Sequence, residues 1–141
     1  MNELFTIGDD HVSFTAPEVV LPLGYQAIAH RFFRHTIPSA YEVEMAIATI
    51  EDVLQATSAL RQAAQQASCA DPYLKEIARI TGSHDMLTQP QIEDVFNRVA
   101  DVISGSPKRD GEFPDETGFI SYLVIMRELS HHLNIQQIIL V

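Results

Sequence analysis

Histidines are the natural starting point for any catalytic chemistry in this chain, because an imidazole titrates near neutral pH and also binds metals. There are six of them, at positions 11, 30, 35, 84, 131 and 132. Glu128 and His131 have the Glu-x-x-His spacing that places a carboxylate and an imidazole on one helix face, as in dimetal carboxylate bundles. Those bundles need two copies of the motif, and this sequence has a single copy. The simpler interpretation is that His131 and His132 complement the dipole at the end of a helix.

A second group of candidate ligands lies on the two sides of Pro38. His30 and His35 precede this proline, and Glu42 and Glu44 follow it, so a turn at Pro38 could bring them together. Their spacing matches no standard metal motif, and the alternative is a solvated helix end. With Glu128 and His131, these residues define one functional hypothesis, in which the chain is a small metal-binding protein or a hydrolase-type enzyme that uses a His/Glu cluster.

Positive charge is concentrated in one short segment, Arg31-Phe32-Phe33-Arg34-His35, of an otherwise acidic chain. Arginines interleaved with aromatic residues can hold a phosphate, a carboxylate or an acidic partner surface. We therefore expect His30, Arg31, Arg34 and His35 to form the best candidate contact for a ligand or partner. The alternative is that the phenylalanines are buried and the arginines pair with nearby acids, an arrangement worth little energy at a surface.

Composition limits the classes of partner and compartment. Nine Lys and Arg against nineteen Asp and Glu give a formal charge of −10, so nucleic acid is not an expected partner. The single cysteine, Cys69, permits no intrachain disulfide, which favours the cytoplasm. The longest apolar stretch, from Phe119 to Met126, is too short to span a membrane. Because nucleotide, zinc-protease and hydrolase-elbow motifs are missing, the sequence predicts no cofactor.

Alternating and helical patterns predict the elements that position these residues. Leu4 to Ile7 and Val12 to Thr15 form a predicted hairpin, and Glu18 to Gly24 is a third strand or a lead-in to a helix. Ser39 and Glu42 have capping-box spacing at the start of a helix that extends to Leu54, with an optional continuation through Leu60, Ala63, Ala64 and Ala67. The other predicted helices are 25–35, 72–80, 90–103 and 119–133. Asp71 and Asp115 are predicted N-caps, Asn134 a left-handed cap, 83–87 a loop and 135–141 a strand.

The sequence therefore predicts one α+β domain over 1–141, with about five helices packed on a small, mostly antiparallel sheet made of an N-terminal hairpin and a C-terminal strand. The helix from Phe119 is apolar on most sides, so it is expected to be central and to share its cover with a second copy. No catalytic constellation is complete in the sequence. The favoured function is thus a non-enzymatic accessory or protein-binding domain, and a homodimer is expected.

Overall fold

The computed structural model describes residues 3–15, 18–57 and 66–141, which form a single-layer sheet with helices packed on it. Three strands come first, and helices and single strands follow them. The order is β1 (Glu3–Ile7), β2 (Val12–Thr15), β3 (Glu18–Leu21), α1 (Tyr25–Phe32), α2 (Ala40–Ala56), β4 (Gln66–Cys69), α3 (Pro72–Thr81), β5 (Met86–Thr88), α4 (Gln89–Ile103), α5 (Thr117–His132) and β6 (Gln137–Leu140).

The sheet has six strands in the order β3-β2-β1-β4-β6-β5 and is mixed. β1 pairs with β2, β2 with β3 and β5 with β6 in antiparallel fashion, whereas β4 pairs in parallel with both β1 and β6. The predicted small, mostly antiparallel sheet of a hairpin and one strand is therefore wrong. The N-terminal hairpin and the C-terminal strand β6 both lie in this sheet, but β4 separates them.

Two strands were hidden in segments with weak local signals. Ala67 was expected to continue the second helix, but it lies in β4, whose small and polar residues are held by pairing on both sides. Met86 and Leu87 fall in the predicted loop, yet they form β5 against β6. Strand formation at both places depends on non-local partners and not on intrinsic propensity. The rest of the proposed helical continuation, at Leu60, Ala63 and Ala64, lies outside the described residues.

Helix starts follow local rules more closely. The capping box at Ser39 is confirmed: its hydroxyl accepts from the Glu42 N–H at 3.2 Å, and its own N–H donates to the Glu42 carboxylate at 2.8 Å. Thr88 and Gln91 form a second capping box that opens α4. The backbone of Asn134 has the predicted left-handed conformation, with a φ of 53°. The cap of α5 is Glu116 and not Asp115.

Helix α5 is central, as its composition predicted. Its residues from Gly118 to Met126 are all buried, and it contacts α1, α2, α3 and α4. The apolar part of this helix is thus covered by other helices of its own chain. No helix among the described ranges combines the length and apolar character that a membrane crossing requires.

The strand directions bring several helix starts to one edge of the sheet. β1, β4 and β6 are parallel, and β3 has the same direction because it is antiparallel to β2. Helix α1 follows β3, and α3 follows β4, so both helices begin at the carboxyl ends of these strands. Helix α5 ends close to the amino end of β6, because only a short connection joins them. The helix runs back across the sheet, so its start lies at the carboxyl edge. Open α/β sheets bind ligands in the crevice at this edge.

Candidate functional site

The turn between β1 and β2 accepts hydrogen bonds from the first N–H groups of α1. The carbonyl oxygen of Gly8 accepts from the Tyr25 N–H at 3.0 Å, and that of Asp9 accepts from the N–H groups of Gln26 and Ala27 at 3.1 Å. A free helix N-terminus attracts anions, but these carbonyl oxygens already occupy that position. The start of α1 therefore holds the hairpin turn and is not open to a ligand.

Gly24 permits this close approach. A Cβ atom added at Gly24 would lie 2.2 Å from the carbonyl oxygen of Asp9 and 2.3 Å from the backbone nitrogen of Asp10. Both contacts are with backbone atoms, which cannot rotate away. The absence of a side chain at Gly24 is thus what allows the turn and the helix to meet.

Asp71 joins three elements at the carboxyl edge. Its carboxylate accepts from the Thr6 hydroxyl, from the Ile7 N–H at 2.8 Å and from the Tyr122 hydroxyl at 2.7 Å. The residue is the N-cap of α3, as predicted, but its side chain does not cap that helix, and only 8% of its surface is exposed. Because three donors occupy its oxygens, Asp71 fixes the ends of β1 and β4 against α5.

Three tyrosine rings enclose a pocket of about 320 Å³ beside Asp71. The ring of Tyr73 lies 5.3 Å from that of Tyr25 and 5.6 Å from that of Tyr122. Burial raises the pKa of Tyr122 well above its ordinary value. Burial and a hydrogen bond to Glu116, with the Tyr73 hydroxyl donating at 2.7 Å, also raise the pKa of Tyr73. Both phenols are therefore neutral hydrogen-bond donors at pH 7.

A larger opening, which we call the polar cleft, shares Tyr73 with this pocket and has a volume of about 510 Å³. It lies between the end of α1 and the start of α5. Its wall is mostly polar and is made of Gln26, Phe33, Arg34, His35, Thr36, Tyr73, Asp115, Glu116, Thr117 and Gly118. The Glu116 carboxylate does not cap α5. Among the described residues, the N–H groups of Thr117 and Gly118 consequently have no protein acceptor.

The Arg34 side chain is held at the C-terminal end of α1 by hydrogen bonds to the backbone of that helix. Its guanidinium donates to the carbonyl oxygens of His30 at 2.8 Å and Arg31 at 3.0 Å, which satisfies acceptors at the helix end. A guanidinium has five N–H donors, so these two bonds leave others for a ligand. His35 is 70% exposed at its side chain, and its Nδ1 lies 3.5 Å from the Glu42 carboxylate. Hydrogen bonds from the backbone of Ser39 and Arg34, and the nearby His35, lower the pKa of Glu42.

The remaining predicted contact residues lie outside the polar cleft. His30 and Arg31 are exposed, and the Arg31 guanidinium stacks on the Phe32 ring at 4.9 Å. Glu44 lines a separate apolar groove of about 170 Å³ between α2 and α4. Of the four residues around Pro38, the structure thus joins only His35 and Glu42 directly.

The charged residues at the end of α5 pair with Glu93 of α4 and Glu51 of α2. His131 lies 3.0 Å from Glu93 of α4, and Arg127 holds the same Glu93 carboxylate at 3.0 Å. Glu128, in contrast, lies 3.7 Å from His132 and not beside His131. The predicted ligands Glu128 and His131 therefore do not contact each other directly, although Arg127 bonds both Glu128 and the Glu93 that holds His131.

Sequence reasoning missed most of the polar cleft. Tyr73, Glu116 and Gly118 come from two distant segments, and none of them belongs to a recognisable motif. The strand-to-helix junction at Asp71 was a usable signal, but β4 had not been predicted as a strand. Chemically, the cleft combines guanidinium, imidazole and helix N–H donors, which suit an oxyanion such as a phosphoryl group. The Tyr73 hydroxyl already donates its hydrogen to Glu116. Glu116 adds a carboxylate to the wall of the cleft.

Comparisons with known proteins give a likeness in fold alone. No protein-family model and no curated protein sequence matches the chain. Among solved structures, the chain is similar to the Aquifex aeolicus PPX-GPPA enzyme, with a TM-score of 0.74 and 15% identity over 98% of this chain and 52% of that one. A type II variant of the Aquifex aeolicus Ppx/GppA phosphatase gives a TM-score of 0.77 and 14% identity, with the same coverage. An exopolyphosphatase-like protein gives 0.68 and 11%, over 94% and 49%.

The chain thus spans about half the length of the solved structures that it matches. These structures are described as an enzyme, a phosphatase and an exopolyphosphatase-like protein. The findings contradict the interpretation of the chain as a non-enzymatic, protein-binding domain, which was based on the lack of a complete catalytic motif. The hydrolase alternative fits them better, although the His/Glu residues proposed for it do not meet in one place.

Proposed function

We propose that the chain is part of a hydrolase that acts on a phosphorylated substrate, and that the polar cleft holds the phosphoryl group. The observation that carries this proposal is the meeting of Arg34, His35, the Tyr73 hydroxyl and the uncapped start of α5 in one cleft at the carboxyl edge. An edge of this kind is where open α/β sheets hold their ligands. The likeness in fold to phosphatases supports the same substrate chemistry.

Each group has a proposed role. The free N–H donors of Arg34 and the imidazole of His35 bind the phosphoryl oxygens, and the N–H groups of Thr117 and Gly118 bind them from the other wall. Glu116 accepts a proton from the attacking water as the water oxygen bonds to phosphorus, and the bond between phosphorus and the leaving oxygen breaks, so that this oxygen departs as an anion with the rest of the substrate. Positive charge at Arg34 offsets the repulsion between this carboxylate and the anionic substrate. Asp71 has a positioning role, because its oxygens accept hydrogen bonds from Thr6, Ile7 and Tyr122 and so hold the carboxyl edge together.

The substrate-facing side of the cleft needs a second wall for a complete active site. The solved structures of this fold are about twice as long as the chain, which supports a further domain or subunit in that position. A cytoplasmic location is part of the proposal, because the only cysteine is a buried thiol. Self-association also stays a prediction, for which the sheet face with Leu4 (44% exposed) and Val20 (59% exposed) is the better surface. Nucleic acid and membrane are not proposed as partners.

Two arginine variants test the proposal with a matched control. Arg34→Met removes the guanidinium in the cleft, whereas Arg31→Met removes one that lies outside it, three residues away in the same segment. Binding of tripolyphosphate is measured by calorimetry, and phosphate release from inorganic polyphosphate is measured in parallel. We expect Arg34→Met to weaken binding at least tenfold and Arg31→Met to change it less than twofold. Equal effects of the two variants, or binding by neither variant nor the parent chain, would contradict the proposal.

A further inference from the structure

We propose that Glu51, Glu128 and His132 bind a divalent metal ion of the Zn²⁺ class, at the end of α5 that lies away from the polar cleft. One ligand atom from each of these side chains lies within 4.8 Å of the others. Glu51 comes from the middle of α2, and the other two residues come from the last turns of α5. We call this group the α2–α5 cluster.

The separations between the ligand atoms fit a tetrahedral ion. Zn²⁺ binds carboxylate oxygen and imidazole nitrogen at about 2.1 Å, so two ligand atoms in a tetrahedral site lie about 3.4 Å apart. His132 Nε2 lies 3.3 Å from the Glu51 carboxylate and 3.7 Å from the Glu128 carboxylate. Two of the three separations between ligand atoms thus lie within a few tenths of an ångström of the tetrahedral value, and the separation between the two carboxylates is at most 4.8 Å.

Glu128 has one oxygen available for the ion and is unusual in its burial. Only 4% of the residue is exposed, although it carries a carboxylate. Arg127 donates to its Oε2 at 3.0 Å, while Oε1 accepts no hydrogen bond from the described residues and is the oxygen that lies nearest His132. Arg127 would then orient the ligand through the oxygen that does not bind the ion, as second partners of metal ligands commonly do.

The chemistry of the ligand set favours a borderline metal. One imidazole nitrogen and two carboxylate oxygens suit Zn²⁺ better than Mg²⁺, which prefers a full set of oxygen ligands. Three protein ligands leave a position for water. The neighbouring His131 is not a competitor, because it is paired with Glu93. The simplest rival arrangement is a hydrogen bond between His132 and Glu51, with no metal bound.

The first experiment titrates the metal-free chain with Co²⁺, whose visible absorption reports tetrahedral coordination, and with Zn²⁺ in a calorimeter. We expect one ion per chain, strong Co²⁺ absorption and Zn²⁺ binding that exceeds Mg²⁺ binding at least a hundredfold. His132→Gln and Glu51→Gln should weaken Zn²⁺ binding at least tenfold. The matched control is His131→Gln, which removes the adjacent imidazole from the same helix turn and should weaken binding less than twofold.

Thermal unfolding separates this site from a general loss of structure. Zn²⁺ should raise the Tm of the parent chain and of His131→Gln, because an ion that binds only the folded state stabilises it, and it should leave the Tm of His132→Gln unchanged. The proposal is overturned if Zn²⁺ does not bind, if Co²⁺ shows no tetrahedral absorption, or if the two histidine variants lose binding equally. Phosphate release from the polar cleft is not the readout, so these results are independent of the proposed hydrolase activity.

Discussion

Replacement of Asp71 gives the sharpest test of how the carboxyl edge is held together. Asp71→Ala removes the acceptor of three hydrogen bonds. It leaves the buried Ile7 N–H without a partner, and the Tyr122 hydroxyl with only a weak contact to the Cys69 sulfur at 3.8 Å. Each buried donor left unsatisfied costs about 1 to 3 kcal/mol. We therefore expect Asp71→Ala to lower the free energy of unfolding by about 3 to 5 kcal/mol, a large part of the stability of a domain of this size.

Asp71→Asn should lower the free energy of unfolding much less than Asp71→Ala does. One amide oxygen can take the place of the carboxylate oxygen that accepts from both Ile7 and Tyr122, and the amide NH₂ then faces the Thr6 hydroxyl, which can rotate to accept. The expected loss is about 1 kcal/mol, for weaker uncharged hydrogen bonds.

Urea unfolding, followed by circular dichroism, measures these changes. Asp110→Ala, in the exposed connection before α5, is the control and should stay within about 0.5 kcal/mol of the parent chain. The reasoning is refuted if the Ala and Asn variants lose the same free energy, or if Asp71→Ala loses less than about 1 kcal/mol.

Three further predictions concern single residues. Gly24→Ala should abolish cooperative thermal unfolding or lower the Tm by many degrees, because its Cβ would lie 2.2 Å from the Asp9 carbonyl oxygen; an unchanged Tm would show that this contact is not made. Cys69 should react with a thiol reagent only on unfolding, since burial raises its pKa to about 12, and rapid labelling of the native chain would contradict its placement. Hydrogen bonds from Arg127 lower the pKa of Glu93 below 4.5, so the stability from this pair is present above that value and lost as the pH falls below it. Urea midpoints between pH 7 and pH 3 should therefore fall less in Glu93→Gln than in the parent chain, and equal slopes would argue against the pairing.

The helices could be predicted from the sequence because their signals are local. The capping box at Ser39 and the apolar stripes of α2, α4 and α5 depend on residues three or four positions apart, and each of these helices was found near its observed bounds. β4 could not be predicted in this way. Its four residues carry no hydrophobic alternation strong enough to indicate a strand, and its backbone is satisfied only by β1 and β6, which are far away in sequence.

The same limit applies to the polar cleft. Arg34 and His35 stood out because they are basic in an acidic chain, but their partners in the cleft come from the starts of α3 and α5. Tyr73 and Glu116 meet through a hydrogen bond that joins residues 43 positions apart. Such a pair becomes visible only when the parallel strands bring the helix starts to one edge, and that arrangement depended on the strand that the sequence did not reveal.

Chemical-shift mapping of the backbone amides during a tripolyphosphate titration tests the central claim most directly. The claim is that the polar cleft holds a phosphoryl group between Arg34, His35 and the start of α5. We predict the largest shifts at the amides of Thr117 and Gly118 and at residues 33–36, with saturation at one ligand per chain. Shifts confined to other surfaces, or no saturable shift in the polar cleft, would contradict the account.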